Sequence, residues 1–282
     1  MLKFYAVDGY PLAYAEAGSG APVLLVHGSL ADHRTWTQQM EDFAAAHRAI
    51  AVSLRHCYPE RWDGEGGGFT VERHAEDLAA FIEGRRLGRV DVIGHSRGGA
   101  VVLQLALRHP GRVGRVVLAD PGGLESILPE TPEGRRMAGE SAAMFSRLRE
   151  SLATGSPVDA AREFVTALGG RGAWDRRTPE QRQMLLDNIT TGPACAERPL
   201  VTREQLAALA GPVLLVTGAR SPRRYALMLA EMTRCNPRAT LVTIPDAAHA
   251  MNRENPVAFN REVLKFLDGG LWPSSPGVAG VR

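Results

Sequence analysis

A chain of 282 residues with 44% hydrophobic and 23% charged side chains can bury one large core, or one core with a sizeable insertion, which excludes a disordered or fibrous chain. Its 33 basic and 31 acidic side chains leave a net +2, too near neutral to argue a nucleic-acid or membrane partner from charge. Cys57, Cys195 and Cys235 are odd in number and share no CxxC spacing, which argues against a disulfide framework or a zinc site and for a reducing compartment.

The opening MLKFYAVDGYPLAYAEAG lacks the basic, apolar and small-residue order of a leader, and no later apolar run reaches the length of a membrane span, so a cytoplasmic protein is expected. Residues 2–7 and 10–17 flank Asp8-Gly9, a hairpin signal, and an antiparallel pair is predicted to open the sheet. Short runs rich in Val, Ile or Leu follow at 23–26, 50–54, 90–93, 113–119, 213–217 and 240–244, each read as a strand buried on both faces. Helical patterns fill the gaps at about 33–46, 71–84, 98–108, 223–234 and 256–268, the last with Asn255 as N-cap and Pro256 at the first helical position.

This alternation predicts an α/β fold: a mostly parallel, eight-stranded sheet flanked by helices. Between the sixth and seventh strands lies a long stretch with helical periodicity and no strand-like run, punctuated by Gly122-Gly123 and Gly211-Pro212. The expected organisation is therefore a core of residues 1–121 and 207–270, a helical cap of 122–206 over the sheet, and a mobile tail at 271–282.

Gly94-His95-Ser96-Arg97-Gly98 reads GxSxG between a strand and a helix, the context that gives this motif its meaning. The tight turn needs glycine at its flanks and projects the serine hydroxyl from the sheet edge beside a helix N-terminus. A serine hydroxyl is a weak nucleophile and needs a base held by a carboxylate. Seven of the eight histidines lie at or before His109, leaving His249 alone in the loop DAAHAMNREN after the last strand, at the same sheet edge as Ser96. His27 and His95 neighbour the site as supporting residues.

Together DGYPLAYAEAGSGAPVLLVHGSLADHRTW, GHSRGGAVVLQLALRHPGRVGRVVLADPGG, PVLLVTG and the His249 loop resemble the α/β-hydrolase superfamily, in a serine-nucleophile form with a helical cap. The resemblance covers nearly all of residues 2–269. It implies that His27-Gly28-Ser29 ends the third strand and that the backbone N–H groups of Ser29 and Arg97 form an oxyanion hole, as acyl transfer requires. The Arg97 side chain itself reads as a solvated structural arginine.

Members of the superfamily usually carry an acid after the seventh strand, yet Gly218-Ala219-Arg220-Ser221-Pro222-Arg223-Arg224 holds none, and its arginines and serine cannot orient an imidazolium. Some members carry the acid after the sixth strand instead, where Asp120 stands. The order Ser96, Asp120, His249 keeps the nucleophile, acid, base sequence of such folds. Asp246 is the runner-up acid, though its spacing better suits a loop cap; Glu125 is a weaker one, and the lesser reading of Asp120 before Pro121 is a turn former.

These residues predict a serine esterase or lactonase acting on a small, largely apolar substrate through an acyl-enzyme, with no cofactor and no metal. Carbon-carbon bond hydrolysis of a vinylogous diketone, acyl transfer or perhydrolysis share the same triad, and a non-catalytic ligand receptor is a remote alternative. His95, Phe145, Trp174 and Met251 are candidate pocket residues, with Met137, Met144, Leu148, Phe164 and Met184 from the cap. Arg176, Arg177, Arg220, Arg223 and Arg224 read as a solvated basic face rather than a carboxylate site. The expected partner is a small molecule, with neither nucleic acid nor membrane, and the oligomeric state stays open, a homodimer among the options.

Overall fold

In a computed structural model that describes residues 1–269, Asp8 and Gly9 both take positive φ (48° and 78°), as a two-residue hairpin turn demands, and join strands β1 (Lys3–Val7) and β2 (Tyr10–Ala17) antiparallel. The remaining strands are β3 (Pro22–Val26), β4 (Arg48–Val52), β5 (Val90–His95), β6 (Val113–Ala119), β7 (Val213–Gly218) and β8 (Thr240–Ile244). They form one eight-stranded sheet in the order β1-β2-β4-β3-β5-β6-β7-β8, parallel from β4 onward. The expected fold class is the observed one. The tail expected at 271–282 lies outside the described residues.

Alternation sets the two cores. Leu24, Val26, Ile50 and Val52 pack into one cluster, while Val23, Leu25, Ala49 and Ala51 face the other, so the central strands are buried on both faces. Each fully buried Leu or Val there contributes about 1.5–3 kcal/mol. The last strand departs from that expectation: β8 is an edge strand, with Leu241 exposed.

Around the sheet lie α1 (Thr37–Ala44), preceded by a 3-10 turn at His33–Trp36, α2 (Val71–Gly84) and α3 (Arg97–Arg108). Between β6 and β7 the chain forms α4 (Pro132–Thr154), α5 (Pro157–Gly169), α6 (Pro179–Asp187) and α7 (Arg203–Ala207), with 3-10 turns and no strand among the described residues. Thr131, Ser156 and Thr178 cap the first three of these, each followed by Pro at the first helical position. The core closes with α8 (Arg223–Cys235), the short α9 (Met251–Glu254) and α10 (Pro256–Leu267), where Asn255 accepts from the Ala258 N–H as its cap.

Two side chains tie the inserted helices to the loops at the carboxyl ends of the strands. Asn188 donates to Asp32 at 2.7 Å and accepts from the Tyr58 N–H at 2.8 Å; Glu197 accepts from the Val71 N–H at 2.7 Å and from Arg97 at 3.3 Å. The strand order reverses direction between β3 and β5, and a crevice forms beyond their carboxyl ends, the place where open α/β sheets hold ligands.

Candidate active site

β5 ends at His95 and α3 begins at Arg97, so Ser96 alone makes the turn at that crevice. Its backbone sits at φ 54°, ψ −126°, a strained conformation that costs on the order of 1–3 kcal/mol. The turn closes only because two neighbours lack side chains: a Cβ on Gly94 would lie 2.3 Å from the Gly98 carbonyl oxygen, and one on Gly98 would lie 2.3 Å from that of Val26. The glycine spacing is thus a packing condition for presenting the Ser96 hydroxyl.

Two narrow lobes meet at Ser96. One, of about 40 Å³, is lined by Ser96, His95 and His249 with Phe164 and Leu168 of α5. The other, of about 20 Å³, is lined by Ser29, Arg97, Phe145 and Tyr225, again with Phe164 and Leu168. Each has room for about one water molecule. Ser29 and Arg97 line the second lobe, and their backbone N–H groups donate to no acceptor among the described residues. Such free donors at a strand end and a helix start suit an oxygen that gains negative charge.

The Nδ1–H of His249 donates to Asp120 Oδ2 at 3.2 Å. Asp120 follows β6 at φ 39°, with its N–H bound to the Val216 carbonyl at 2.8 Å, so the strand end aims the carboxylate across to β7. The His249 ring stacks on Tyr225 (4.6 Å between centroids, 12° between planes) and is flanked by His95, whose Nε2–H donates to the His249 carbonyl at 2.7 Å. The Tyr225 hydroxyl lies 3.5 Å from His249 Nε2. No hydrogen bond joins His249 Nε2 to Ser96 Oγ among the described residues, although both face the same lobe. In unliganded sites such bonds are often long and tighten with substrate.

Burial pushes the Asp120 carboxyl up to about 7, against the pull of hydrogen bonds from Ser221 and Thr217. Burial also drives His249 well below its ordinary value, helped by the positive charges of Arg224, Arg253 and Arg177. His95 is held down to about 3 by burial and by the His249 charge. His27 is likewise buried and pushed down to about 4; its Nδ1–H donates to the Gly28 carbonyl at 2.8 Å and its Nε2 accepts from the Leu54 N–H at 3.0 Å, which fixes the loop carrying Ser29.

Several expectations need correction. Trp174 is buried among the inserted helices, under the guanidinium groups of Arg162 and Arg182, and lines neither lobe; Met251 is fully buried in the core beneath the sheet. Helical periodicity shows that such residues are buried but not which neighbour buries them. Phe145 and His95 do line the lobes, as do Met144 and Phe164, whereas Met184 borders an outer cleft. Of the rival acids, Asp246 is exposed beside Arg220, and Glu125 is paired with Arg198 at 2.7 Å.

The Arg97 side chain is not solvated: it is 4% exposed, donates to His74 Nδ1 at 2.8 Å and lies 4.4 Å from the Phe69 ring. Arg176, Arg220 and Arg223 are exposed as expected, but Arg224 is buried over Tyr225 and Arg177 is half-buried at the site. Ser221, read from sequence as unable to help the base, donates to Asp120 Oδ2 at 2.6 Å. Among the described residues no group of three or more His, Cys, Asp or Glu side chains is arranged to hold a metal ion, and no helix is long and apolar enough to cross a membrane.

A family model described as "Alpha/beta hydrolase family" matches residues 23–262. The dihydrolipoyllysine-residue acetyltransferase component of the acetoin cleaving system of Cupriavidus necator is 26% identical over 95% of this chain and 69% of that protein. A 2-hydroxy-6-oxo-2,4-heptadienoate hydrolase of Pseudomonas putida is 35% identical over 41% of this chain, so the matched stretch spans only 42% of that relative. Among solved structures, a thermophilic esterase from Thermogutta terrifontis superposes with a TM-score of 0.75 at 28% identity, covering 95% of this chain and 97% of that one.

Proposed function

The chain belongs to the alpha/beta hydrolase family, and on that premise we propose that it is a serine hydrolase cleaving a carboxylic ester or lactone of a small, largely apolar substrate through Ser96, His249 and Asp120. One observation carries the reading: the 3.2 Å contact of Asp120 with His249, made beside a strained serine in the same lobe. In this reading Asp120 fixes the His249 tautomer so that Nε2 is free to take the Ser96 proton. Ser96 Oγ then attacks the substrate carbonyl, and the N–H groups of Ser29 and Arg97 hold the oxygen that becomes negative. His249 returns the proton to the departing alcohol oxygen. The acyl-enzyme is opened by a water that His249 deprotonates, releasing the acid and free Ser96.

The two lobes are narrow at Ser96, and in this reading the side chains of α4 and α5, or those helices themselves, shift to admit the substrate as a cap does. The esterase neighbour supports the ester reading at the level of family and fold. Two observations favour rivals that use the same triad: the local identity to the P. putida hydrolase favours carbon-carbon bond cleavage, and the longer match to the C. necator acetyltransferase component favours acyl transfer.

The deciding experiment combines fluorophosphonate labelling with a panel of aryl esters, lactones and vinylogous diketones, run on wild type and Ser96→Ala. Labelling and turnover that vanish in Ser96→Ala support the reading. A wild type that neither labels nor exceeds Ser96→Ala on any substrate overturns it, leaving a ligand receptor. Products formed with water, alcohol or peroxide present separate hydrolysis from acyl transfer.

A further inference from the structure

The lobe that holds Ser96 and His249 is also lined by two guanidinium groups that the proposed hydrolysis does not use. Arg253 comes from α9, four residues beyond His249, and Arg177 from the segment between α5 and α6. Arg253 Nη1 is buried with no hydrogen-bond acceptor, and no hydrogen bond or ion pair reaches its side chain among the described residues. Arg177 Nε is buried and unpartnered too, while its Nη1 donates to the Ala173 carbonyl at 2.5 Å. Glu254 lines the same lobe and its charge favours both guanidinium ions, but its carboxylate accepts from the Ala248 N–H at 2.6 Å and forms no ion pair with either arginine among the described residues, so two cations face one carboxylate.

Like charges in a partly dry site are unfavourable unless an anion joins them. Burial, then the neighbouring Arg253 charge, pulls the Arg177 guanidinium down to about 9. The same two charges help to hold His249 below its ordinary value. An anion between them would relieve both effects at once.

Beyond the inner lobe lie two open clefts of about 690 and 390 Å³, and Arg253 borders both clefts as well as the lobe. Thr35 joins the larger cleft to the lobe, and Arg177 joins the smaller one. The arginines therefore stand where solvent meets the lobe, whose other walls include Phe164, Val165, Leu168 and Leu185. A planar guanidinium fork matches a carboxylate, and an apolar wall suits the rest of a small acyl or aryl chain.

We propose that Arg177 and Arg253 form a carboxylate subsite at the mouth of the Ser96 lobe, so that the substrates are esters or lactones bearing one carboxylate. This rests on the serine-hydrolase reading and narrows its substrate class. The carboxylate draws the substrate from the outer clefts and offsets the positive charge that weakens His249 as a base.

The test uses matched pairs: mono-4-nitrophenyl glutarate against 4-nitrophenyl pentanoate, which differ in the acyl half, and 4-acetoxybenzoate against 4-methylphenyl acetate, which differ in the leaving half. Wild type is expected to prefer the charged member of at least one pair by about tenfold or more in kcat/KM, and Arg177→Met and Arg253→Met each to collapse that ratio. No preference in wild type, or a ratio that both variants leave intact, overturns the subsite. Glutarate alone supplies a readout independent of turnover. It should raise the Tm of wild type by about 2 °C at saturating concentration and not that of the double variant. If Ser96→Ala equals wild type on every ester while the glutarate shift persists, the hydrolase reading fails and the subsite stands. If turnover depends on Ser96 but the charge preference and the glutarate shift are both absent, the subsite fails and the hydrolase reading stands.

Discussion

Ser221 Oγ donates to Asp120 Oδ2 at 2.6 Å, while the Gly218 N–H donates back to Ser221 Oγ at 3.1 Å. The loop after β7, which carries no acid of its own, thereby holds the acid that stands after β6. A hydrogen bond to the ionised form favours ionisation, and this one opposes the burial that lifts Asp120 to about 7.

Ser221→Ala removes a charge-assisted bond worth about 1.5–3 kcal/mol. Protonation of the coupled Asp120–His249 pair then begins at higher pH, and the acid limb of kcat/KM should move up by about one to two pH units. Ser221→Thr keeps a hydroxyl and should hold the limb nearer its original place. An unmoved limb in Ser221→Ala would mean that this bond does not govern the acid.

Asp120→Asn addresses the acid directly. If Asp120 fixes the His249 tautomer, kcat should fall by about 10^3 to 10^4 with KM little changed, because the amide cannot hold Nδ1 in its protonated form. A loss below about tenfold would remove Asp120 from the role.

The fold was legible because its signals are local: the Asp8-Gly9 turn, runs of Val and Leu, and the Asn255-Pro256 helix start each act within a few residues. GxSxG was legible for a related reason, since the clashes that enforce glycine at 94 and 98 involve the turn and the strand beside it. The meeting of Asp120 with His249, 129 positions apart, was expected from the family resemblance, which puts an acid after the sixth strand, and depends on a strand order that no local signal carries. Ser221 was misjudged because it acts on the acid and not on the base. Tyr225, Arg177 and Arg253 carry no motif, and their places follow from how the inserted helices pack on α8 and α9. Trp174 and Met251 failed as pocket residues because a buried face in a helical pattern does not say whether it is covered by core or by substrate.

Tyr225 gives the next prediction. Its ring is parallel to that of His249 and fully buried, so it limits how far the imidazole can turn. Tyr225→Phe keeps the stack and loses only the 3.5 Å approach of the hydroxyl to Nε2, and kcat should stay within about threefold of wild type. Tyr225→Ala frees the ring and should lower kcat by at least about tenfold, with a smaller change in KM. Equal losses in both variants would assign the effect to the hydroxyl.

Stability against pH follows from the same buried groups, with opposing signs. His27 and His95 titrate near 4 and 3 in the folded chain, below the 6.5 of an exposed histidine, so the unfolded chain binds protons first as pH falls. Their contribution is complete above about 6.5 and is lost below it, by about 2 kcal/mol each at pH 5. His74 and His249, also held well below 6.5, act in the same direction. Asp120 acts the other way: titrating near 7 when folded against 3.8 when exposed, it takes up its proton in the folded chain first, which recovers about 2 kcal/mol between pH 7 and pH 5. The histidines outweigh the single carboxyl, so Tm should fall from pH 7.5 to pH 5. Asp120→Asn removes the opposing group together with its buried charge. That variant should melt higher than wild type at pH 8, where the wild-type carboxylate is ionised, and should lose Tm more steeply on acidification. Calorimetry of both proteins across this range checks the signs, and a wild type that gains Tm toward pH 5 would show that the buried histidines are already protonated in the folded chain.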